Sequence, residues 1–324
     1  MNGTNRVKKF FRSNNAVLLL VTVIVILVFF FWNRNFLSFE NIRSIMNSMT
    51  FVGILTVGMG LLLIGGEVDL SSGAIACASG LVMALMINAG MNWVLAIVLT
   101  IIFGILCGLI NAFFINKLGF MNFIATLGLM SVYQGFVALI THNKNVSVVP
   151  QGVWVIGSTS IFGIIPLPFF IFIVVVLVYA FVLKRTGFGR SVFMCGGNRR
   201  AARLCGINPI RISTLLYANN GMLAAFAGII LTARMHTASP VAGSSGAVDA
   251  ITAAVLGGVS FLGGSGNMGG CFIGVLLLQA FDAGLTAVGF PSYWQIVVRG
   301  CLLVLALYLD FVSTRARNRA LDRR

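Results

Sequence analysis

Runs of about 20 apolar residues follow one another along almost the whole chain, and no other feature limits the possible fold as much. A helix of about that length crosses the hydrocarbon core of a bilayer. Of the 324 residues, 59% are hydrophobic and 9% are charged, whereas a soluble domain carries about 25% charged residues. The sequence therefore predicts an all-α polytopic membrane protein, organised as a single transmembrane domain over residues 1–324.

About ten transmembrane helices account for these runs. The first run follows a basic stretch, NRVKKFFR, and no small-residue cleavage site comes after it, so we interpret it as an uncleaved signal anchor. We expect the ten spans at residues 16–32, 45–64, 72–90, 93–116, 122–141, 162–183, 213–233, 246–262, 268–288 and 293–311.

The basic residues indicate how the spans are oriented. With the N-terminus placed inside, the inner segments contain 17 of the 22 Lys and Arg residues and the outer segments contain 4. Cytoplasmic loops of membrane proteins carry such an excess, so we expect an even number of spans and two cytoplasmic termini. The net charge of +15 is then explained by loops that meet anionic lipid, and we expect no nucleic-acid partner.

The predicted spans fall into two sets of similar size. Residues 45–141 and 213–311 contain four spans each, and each set is preceded by one further span. The first set begins outside and the second begins inside. We therefore expect two inverted four-helix halves, an arrangement that is common in transporters.

Two Gly-rich stretches interrupt the apolar runs. They are GGEVDLSSG at 65–73 and LGGVSFLGGSGNMGG at 256–270. Non-helical backbone at membrane depth is tolerated only inside protein or beside a water-filled cavity, and a paired interruption marks a transport pathway. Asp69 is expected to cap the helix that restarts after it and is also a pathway candidate. Glu67 is either a solvated loop residue or a gating or pairing residue.

The longest polar loop, residues 184–212, lies on the predicted inner side. Within it, NRRAARLCGI reads as a short helix that Asn198 caps and Gly206 ends. Such a basic helix between two spans suits docking onto a cytoplasmic partner. Ordinary positive-inside charge is the alternative, although it leaves the Gly-Gly start of this stretch unexplained.

Charged residues within spans are costly in a membrane and are functional candidates. Asp282 and Arg299 lie eight or nine residues on either side of a turn near residue 290, so an antiparallel hairpin places them at similar depth. We expect them to form an intramembrane ion pair that holds the hairpin or contacts substrate. By the same reasoning we expect Arg234 to pair with Asp249 near the outer face.

Enzymatic activity is not indicated. The sequence contains no GxxxxGK[ST] phosphate-binding loop and no HExxH motif. We expect neither a cofactor nor a metal site in this chain.

Four stretches resemble the permease subunits of ribose-type sugar importers of the bacterial ATP-binding-cassette class. Residues 58–80 resemble the pattern around that family's Gly-Ile-Asp-Leu-Ser-Val-Gly core, and NFIATLG resembles its Phe-Ile-Ala-Thr-Leu-Gly segment. Residues 188–207 resemble its cytoplasmic coupling loop, and residues 249–270 its Gly-rich segment. The resemblance covers nearly the whole chain. Glu67 stands where the family often has glycine, Val68 where isoleucine is common, and Asn122 where proline is common.

This resemblance implies a multi-pass permease of the bacterial cytoplasmic (inner) membrane. It would work as a dimer, with a second copy or a paralogue, on two cassette ATPase subunits that use the ATP. A periplasmic or lipid-anchored binding protein would deliver a sugar. The residues implied in ATPase coupling are Gly196, Gly197, Asn198, Arg199, Arg200, Ala201, Ala202, Arg203 and Gly206.

A sugar needs hydroxyl partners, and neutral polar side chains suit a transporter that must also release it. With Asp69, the candidates for the substrate pathway are Asn47, Thr126, Gln134, Asn219, Asn220 and Gln279. Each of the neutral residues is alternatively an interhelical hydrogen-bonding residue. The competing functions are a related permease for branched-chain amino acids or nucleosides, a secondary transporter driven by an ion gradient, and a structural membrane scaffold.

Overall fold

The computed structural model describes residues 14–148 and 151–322. The basic N-terminal tail and the last two arginines, which contribute to the predicted orientation, lie outside this part of the chain. Thirteen α-helices occur in the described residues: α1 Asn14–Trp32, α2 Phe39–Ile64, α3 Ser72–Asn88, α4 Trp93–Asn116, α5 Asn122–Thr141, α6 Gln151–Ser158, α7 Leu167–Arg185, α8 Gly187–Gly197, α9 Arg199–Leu204, α10 Pro209–Met235, α11 Gly246–Leu256, α12 Met268–Ala287 and α13 Ser292–Asp322.

The helices agree with an all-α polytopic membrane protein. Seven of those in the described residues (α2, α4, α5, α7, α10, α12 and α13) are long and apolar enough to cross a membrane. Three shorter apolar helices, α1, α3 and α11, lie where the other three spans were predicted. The predicted end of the span 246–262 is wrong, because α11 ends at Leu256, where Gly257 caps it and Gly258 adopts a left-handed conformation. The helix α6 was not predicted.

The helix α2 forms the centre of the bundle, and its 16 residues from Met49 to Ile64 are all buried. It packs against α10, α11, α12 and α7. Small residues let other helix pairs approach closely. A Cβ atom on Gly108 of α4 would lie 2.2 Å from the carbonyl oxygen of Tyr217 in α10. The core therefore depends on backbone contact between α4 and α10 as well as on side-chain packing.

Two short strand pairs lie outside the helices. Strand β1 (Val146–Ser147), after α5, pairs antiparallel with β4 (Thr237–Ala238), after α10. Strand β2 (Ser160–Ile161) pairs with β3 (Ile165–Pro166) in the connection before α7. The first pair ties together two connections that the sequence places on the same, outer side. We call the end of the bundle that contains β1 and β4 the strand end.

Two of the short helices begin inside the bundle and run in opposite directions. A Cβ atom on Gly73, at the start of α3, would lie 2.8 Å from the carbonyl oxygen of Gly243 and 3.2 Å from the amide nitrogen of Ala247, at the start of α11. Gly246 packs against Leu55 of α2, nine residues before that helix ends, or about 14 Å along its axis. From this meeting point α3 runs to the strand end, where Asn88 donates to the carbonyl oxygen of Ser147 at 2.7 Å.

The segments that lead into these two helices both carry the chain into the interior of the bundle. Residues 65–71 return from the end of α2 into the bundle, and residues 239–245 enter it from the strand end. The sequence pairs the first break with the Gly-rich stretch 256–270, and the two stretches do contact each other, since a Cβ atom on Gly263 would lie 3.0 Å from the Cα atom of Gly66. Most of that stretch lies after α11 and contacts the far end of α2, as described below.

Candidate functional site

The first break begins where α2 ends. Gly65 caps the helix, and Gly66 has a φ of +76°, a left-handed conformation that glycine adopts without strain. The amide of Glu67 then donates to the carbonyl oxygen of Leu62 at 2.9 Å. These contacts complete the C-terminus of α2 and turn the chain back into the protein.

Asp69 in this break is fully buried and accepts four hydrogen bonds. Its Oδ1 atom accepts from the amide of Ser71 at 2.9 Å and from its hydroxyl at 2.6 Å. Its Oδ2 atom accepts from Nδ2 of Asn220 in α10 at 2.8 Å and from Nδ2 of Asn111 in α4 at 3.1 Å. A buried carboxylate needs such donors. Asp69 therefore anchors the break between α4 and α10.

This arrangement differs from the expected helix cap. The helix α3 starts at Ser72, and Ser71 occupies the N-cap position without a side-chain capping bond. The carboxylate of Asp69 instead stabilises the turn just before the helix. Thr126 supports the same turn from α5, since its hydroxyl accepts from the amide of Leu70 at 3.2 Å.

Glu67 is buried, with 2% of its surface exposed, so the interpretation as a solvated loop residue is wrong. Its Oε2 atom accepts from Nδ2 of Asn122 at 3.2 Å and lies 3.4 Å from the hydroxyl of Tyr217, which donates to the carbonyl oxygen of Val68 at 3.0 Å. Its Oε1 atom pairs with the guanidinium of Arg199 in α9. One buried carboxylate thus joins the first break to α5, α10 and the basic loop.

The basic loop folds as the sequence predicts around residue 200. The side chain of Asn198 accepts from the amides of Arg200 and Ala201 at 2.9 and 3.0 Å and so caps α9. Gly206, with a φ of +80°, follows its last turn. We call residues 196–207 the coupling segment. Both caps and the short helix are confirmed.

Glycines bring the coupling segment and both Gly-rich stretches into direct backbone contact. A Cβ atom on Gly196 would lie 1.8 Å from the carbonyl oxygen of Ile64 and 2.7 Å from the amide nitrogen of Gly264. That amide donates to the Ile64 carbonyl at 2.9 Å. A Cβ atom on Gly263 would lie 3.0 Å from the Cα atom of Gly66. We call this end of the bundle the coupling end.

The outward face of the coupling segment is open. Arg200 and Arg203 are exposed, and Leu204 is 91% exposed. Ala202, by contrast, is fully buried. The segment therefore packs one face onto the breaks and presents basic and apolar side chains on the other.

An ion triad lies between α11, α12 and α13. The predicted pair is present, with Nη2 of Arg299 2.7 Å from Oδ2 of Asp282. The same guanidinium also binds Asp249, with Nη1 3.1 Å from its Oδ2. The predicted pair of Arg234 with Asp249 is therefore wrong. Because α11 begins deep in the bundle, its first turn lies at the depth of Asp282.

A polar cavity of about 410 Å³ occurs near the start of α2 and the end of α10. The guanidinium of Arg43 donates to the hydroxyl of Ser160 at 2.6 Å beside it. The Oδ1 atom of Asn47 is buried and has no hydrogen-bond partner among the described residues. The lining residues are Glu40, Arg43, Ser44, Asn47, Ser48 and Arg234.

The predicted pathway residues do not form one cluster. Asn220 contacts Asp69, and Thr126 contacts the same break, whereas Asn47 lines the polar cavity. The Oδ1 atom of Asn219 accepts from the hydroxyl of Tyr179. Gln279 is buried in α12 and Gln134 is half-buried in α5.

Three contributors to the site were not predicted from the sequence. Tyr217 and Asn111 are ordinary residues of apolar helices, and only their contacts reveal them. The segment 239–245 carried a signal, because Ser-Ser-Gly-Ala occurs both at 71–74 and at 244–247. These are the two places where a short helix begins inside the bundle.

Comparison with known proteins gives a consistent result. Residues 41–307 match the family described as branched-chain amino acid transport system / permease component. The ribose import permease protein RbsC of Bacillus subtilis (strain 168) is 36% identical, over 86% of this chain and 87% of that protein. The L-arabinose ABC transporter permease protein AraH of Azospirillum brasilense is 33% identical (85% and 81%). The xylose transport system permease protein XylH of Escherichia coli (strain K12) is 29% identical (86% and 87%). No solved structure matches the chain.

Proposed function

The chain belongs to the family of permease components of the branched-chain amino acid transport system type, and we propose that it forms the translocation pathway of a sugar importer driven by a separate cassette ATPase. Relatives over most of its length are ribose, arabinose and xylose permeases. This similarity favours an aldose over a branched-chain amino acid or a nucleoside. The chain is a transport subunit rather than an enzyme.

The proposed transport mechanism depends on the contact of the coupling segment with both Gly-rich stretches. Its exposed face, with Arg203 and Leu204, is the docking surface for the ATPase. Its packed face contacts the end of α2 through Gly196. ATP-driven movement of the ATPase would shift this segment and, with it, the backbone that leads into α3. A secondary transporter or a scaffold has no need of such a surface.

The proposed pathway runs between the polar cavity and the coupling end. The cavity of about 410 Å³ falls within the usual size of a small-molecule site, about 300–1,000 Å³. Neutral and charged side chains that can form hydrogen bonds line it, among them that of Asn47. We propose this cavity as the entrance that receives a sugar from a periplasmic or lipid-anchored binding protein.

We further propose ten spans in two inverted four-helix halves, with both termini cytoplasmic, in the bacterial inner membrane. The opposite directions of α3 and α11 support an inverted arrangement, as does the repeated Ser-Ser-Gly-Ala at their starts. The exposed apolar face of α13 would meet lipid or the second permease subunit.

Reconstitution tests this proposal. The purified chain is placed in proteoliposomes with its ATPase and binding protein, and uptake of labelled ribose, arabinose and xylose is measured with and without ATP. We expect uptake of at least one aldose that requires ATP and both partners. Uptake by the chain alone under an ion gradient would establish a secondary transporter. ATP-dependent uptake of leucine or a nucleoside, with none of the three sugars, would establish the related permease class.

A further inference from the structure

The buried carboxylate of Glu67 has an unusual set of partners. Asn122 comes from the start of α5, Tyr217 from α10 and Arg199 from the coupling segment. Asn122 donates to Oε2 and orients the carboxylate with Oε1 toward Arg199. The hydroxyl of Tyr217 lies 3.4 Å from Oε2 and donates to the carbonyl oxygen of Val68 at 3.0 Å. Glu67 is therefore positioned for the one partner that the cytoplasmic loop supplies.

The two members of this pair differ sharply in burial. The side chain of Glu67 is 2% exposed, whereas that of Arg199 is 50% exposed. When the pair separates, water can hydrate the arginine but not the buried carboxylate. Removing the partner of a buried charge is costly. The free-energy cost of separating the pair therefore arises mainly from the carboxylate in the first break rather than from the arginine in the coupling segment.

From this geometry we propose that Glu67 is the residue that transmits movement of the coupling segment to the transmembrane break, through its ion pair with Arg199. This inference rests on the proposed function, because it assigns the contact through which an ATPase acts. The pair joins the start of α9 directly to the residues that precede α3. Gly196, three residues earlier, provides a second contact at the end of α2. The segment is thus attached both to the end of α2 and to the break that follows it.

The labelling of native cysteines can show whether the coupling segment is packed against the transmembrane bundle, and this measurement needs no partner protein. Cys195, next to Gly196, is 4% exposed, whereas Cys205 at the end of α9 is exposed. Maleimide labelling of the purified chain in nanodiscs, resolved by mass spectrometry, gives the rate ratio of Cys195 to Cys205. Cys107 and Cys271 are buried in the transmembrane core and report on general unfolding.

We expect Arg199→Gln to raise this ratio about 5- to 10-fold, in the range for a charged hydrogen bond with one exposed member. Glu67→Gln should raise the ratio as well, and the double variant should be no more reactive than either single variant. Apart from burial, which raises the pKa of the Cys195 thiol, Arg199 lowers this pKa and Glu67 raises it. An electrostatic effect alone would therefore move the ratio in opposite directions in the two single variants, and that result would overturn the inference. Lys117→Gln, which removes a charge outside the segment, is the matched control and should match the wild type. A wild-type ratio in Arg199→Gln, or effects that multiply in the double variant, would overturn the inference.

If Arg199→Gln also exposes Cys107 and Cys271, the variant Arg199→Lys distinguishes loss of the ion pair from general unfolding. Because lysine keeps the charge, we expect slow labelling of the core cysteines and a Cys195 ratio closer to the wild type. General unfolding in this variant as well would assign Arg199 a folding role and overturn the inference.

Uptake per ATP hydrolysed then separates this inference from the proposed function. We expect the reconstituted Arg199→Gln importer to hydrolyse ATP with a reduced yield of transported sugar. A wild-type importer without ATP-dependent uptake would refute the proposed function. A working wild type with an unchanged yield in Arg199→Gln would refute only the assignment of Glu67.

Discussion

Replacing Arg299 tests how the ion triad stabilises the bundle. One guanidinium binds two buried carboxylates, at 2.7 Å from Asp282 and 3.1 Å from Asp249. Charges about 4 Å apart interact by about 4 kcal/mol at an effective dielectric constant of about 20. Arg299→Gln removes both attractions and leaves two like charges together. Asp282→Asn removes one attraction and leaves Arg299 paired with Asp249.

The two variants should therefore differ in stability. Arg299 is 26% exposed, so we expect a loss of about 3 kcal/mol for Arg299→Gln, at the lower end for a broken buried ion pair. We expect about 1–2 kcal/mol for Asp282→Asn, the value for a charged hydrogen bond whose partner stays paired. This second figure revises the sequence-based expectation, in which Asp282→Asn leaves the arginine without a partner.

The stability of both variants is measured by heating the detergent-purified chain. Size-exclusion chromatography then gives the fraction that remains monodisperse at each temperature. Arg200→Gln, at an exposed position, is the control and should unfold like the wild type. The triple replacement Asp249→Asn, Asp282→Asn and Arg299→Gln should recover part of the loss, because no buried charge remains. Equal losses in the two single variants, or wild-type stability of Arg299→Gln, would refute the reasoning.

Three further predictions concern single contacts. Asp69→Ala should cost about 2–4 kcal/mol, because the buried donors of Asn220 and Ser71 lose their acceptor. Asn111 keeps its bond to the Ser71 hydroxyl, and a wild-type unfolding midpoint would contradict the anchoring role. Gly108→Ala should lower the unfolding midpoint, because its Cβ atom would lie 2.2 Å from a backbone oxygen of α10. Gly128→Ala has open space around its Cβ atom and should leave the midpoint unchanged. Equal midpoints in the two variants would contradict the close approach of α4 and α10. Leu204→Asp should weaken co-purification of the ATPase subunit at an unchanged midpoint, and undiminished co-purification would place docking elsewhere.

The sequence was sufficient to predict the features that depend on local composition. Apolar length predicted the seven long helices, and the Asn198 cap with Gly206 predicted α9. The hairpin between α12 and α13 predicted the pair of Asp282 with Arg299, because depth along two adjacent helices can be counted from their common turn.

Features that depend on the depth in the bundle at which a helix begins could not be predicted in this way. Counting outward from the turn before α11 places Asp249 near Arg234, but residues 239–245 enter the bundle and move the start of α11 inward. For the same reason, we did not expect residues 239–245 to lead into a helix that begins inside the bundle. The burial of Glu67 likewise depends on three segments distant in sequence, and charge alone does not reveal it.

A matched pair of glycine variants tests the central claim most directly. Gly196 and Gly197 are neighbours in the coupling segment, but a Cβ atom on Gly196 would meet the Ile64 carbonyl at 1.8 Å, whereas one on Gly197 has nothing within 4 Å. Sugar uptake per ATP hydrolysed is measured for both variants in the reconstituted importer. We predict a much lower yield in Gly196→Ala than in Gly197→Ala. Equal yields in the two variants would show that contact of this segment with the end of α2 does not drive transport.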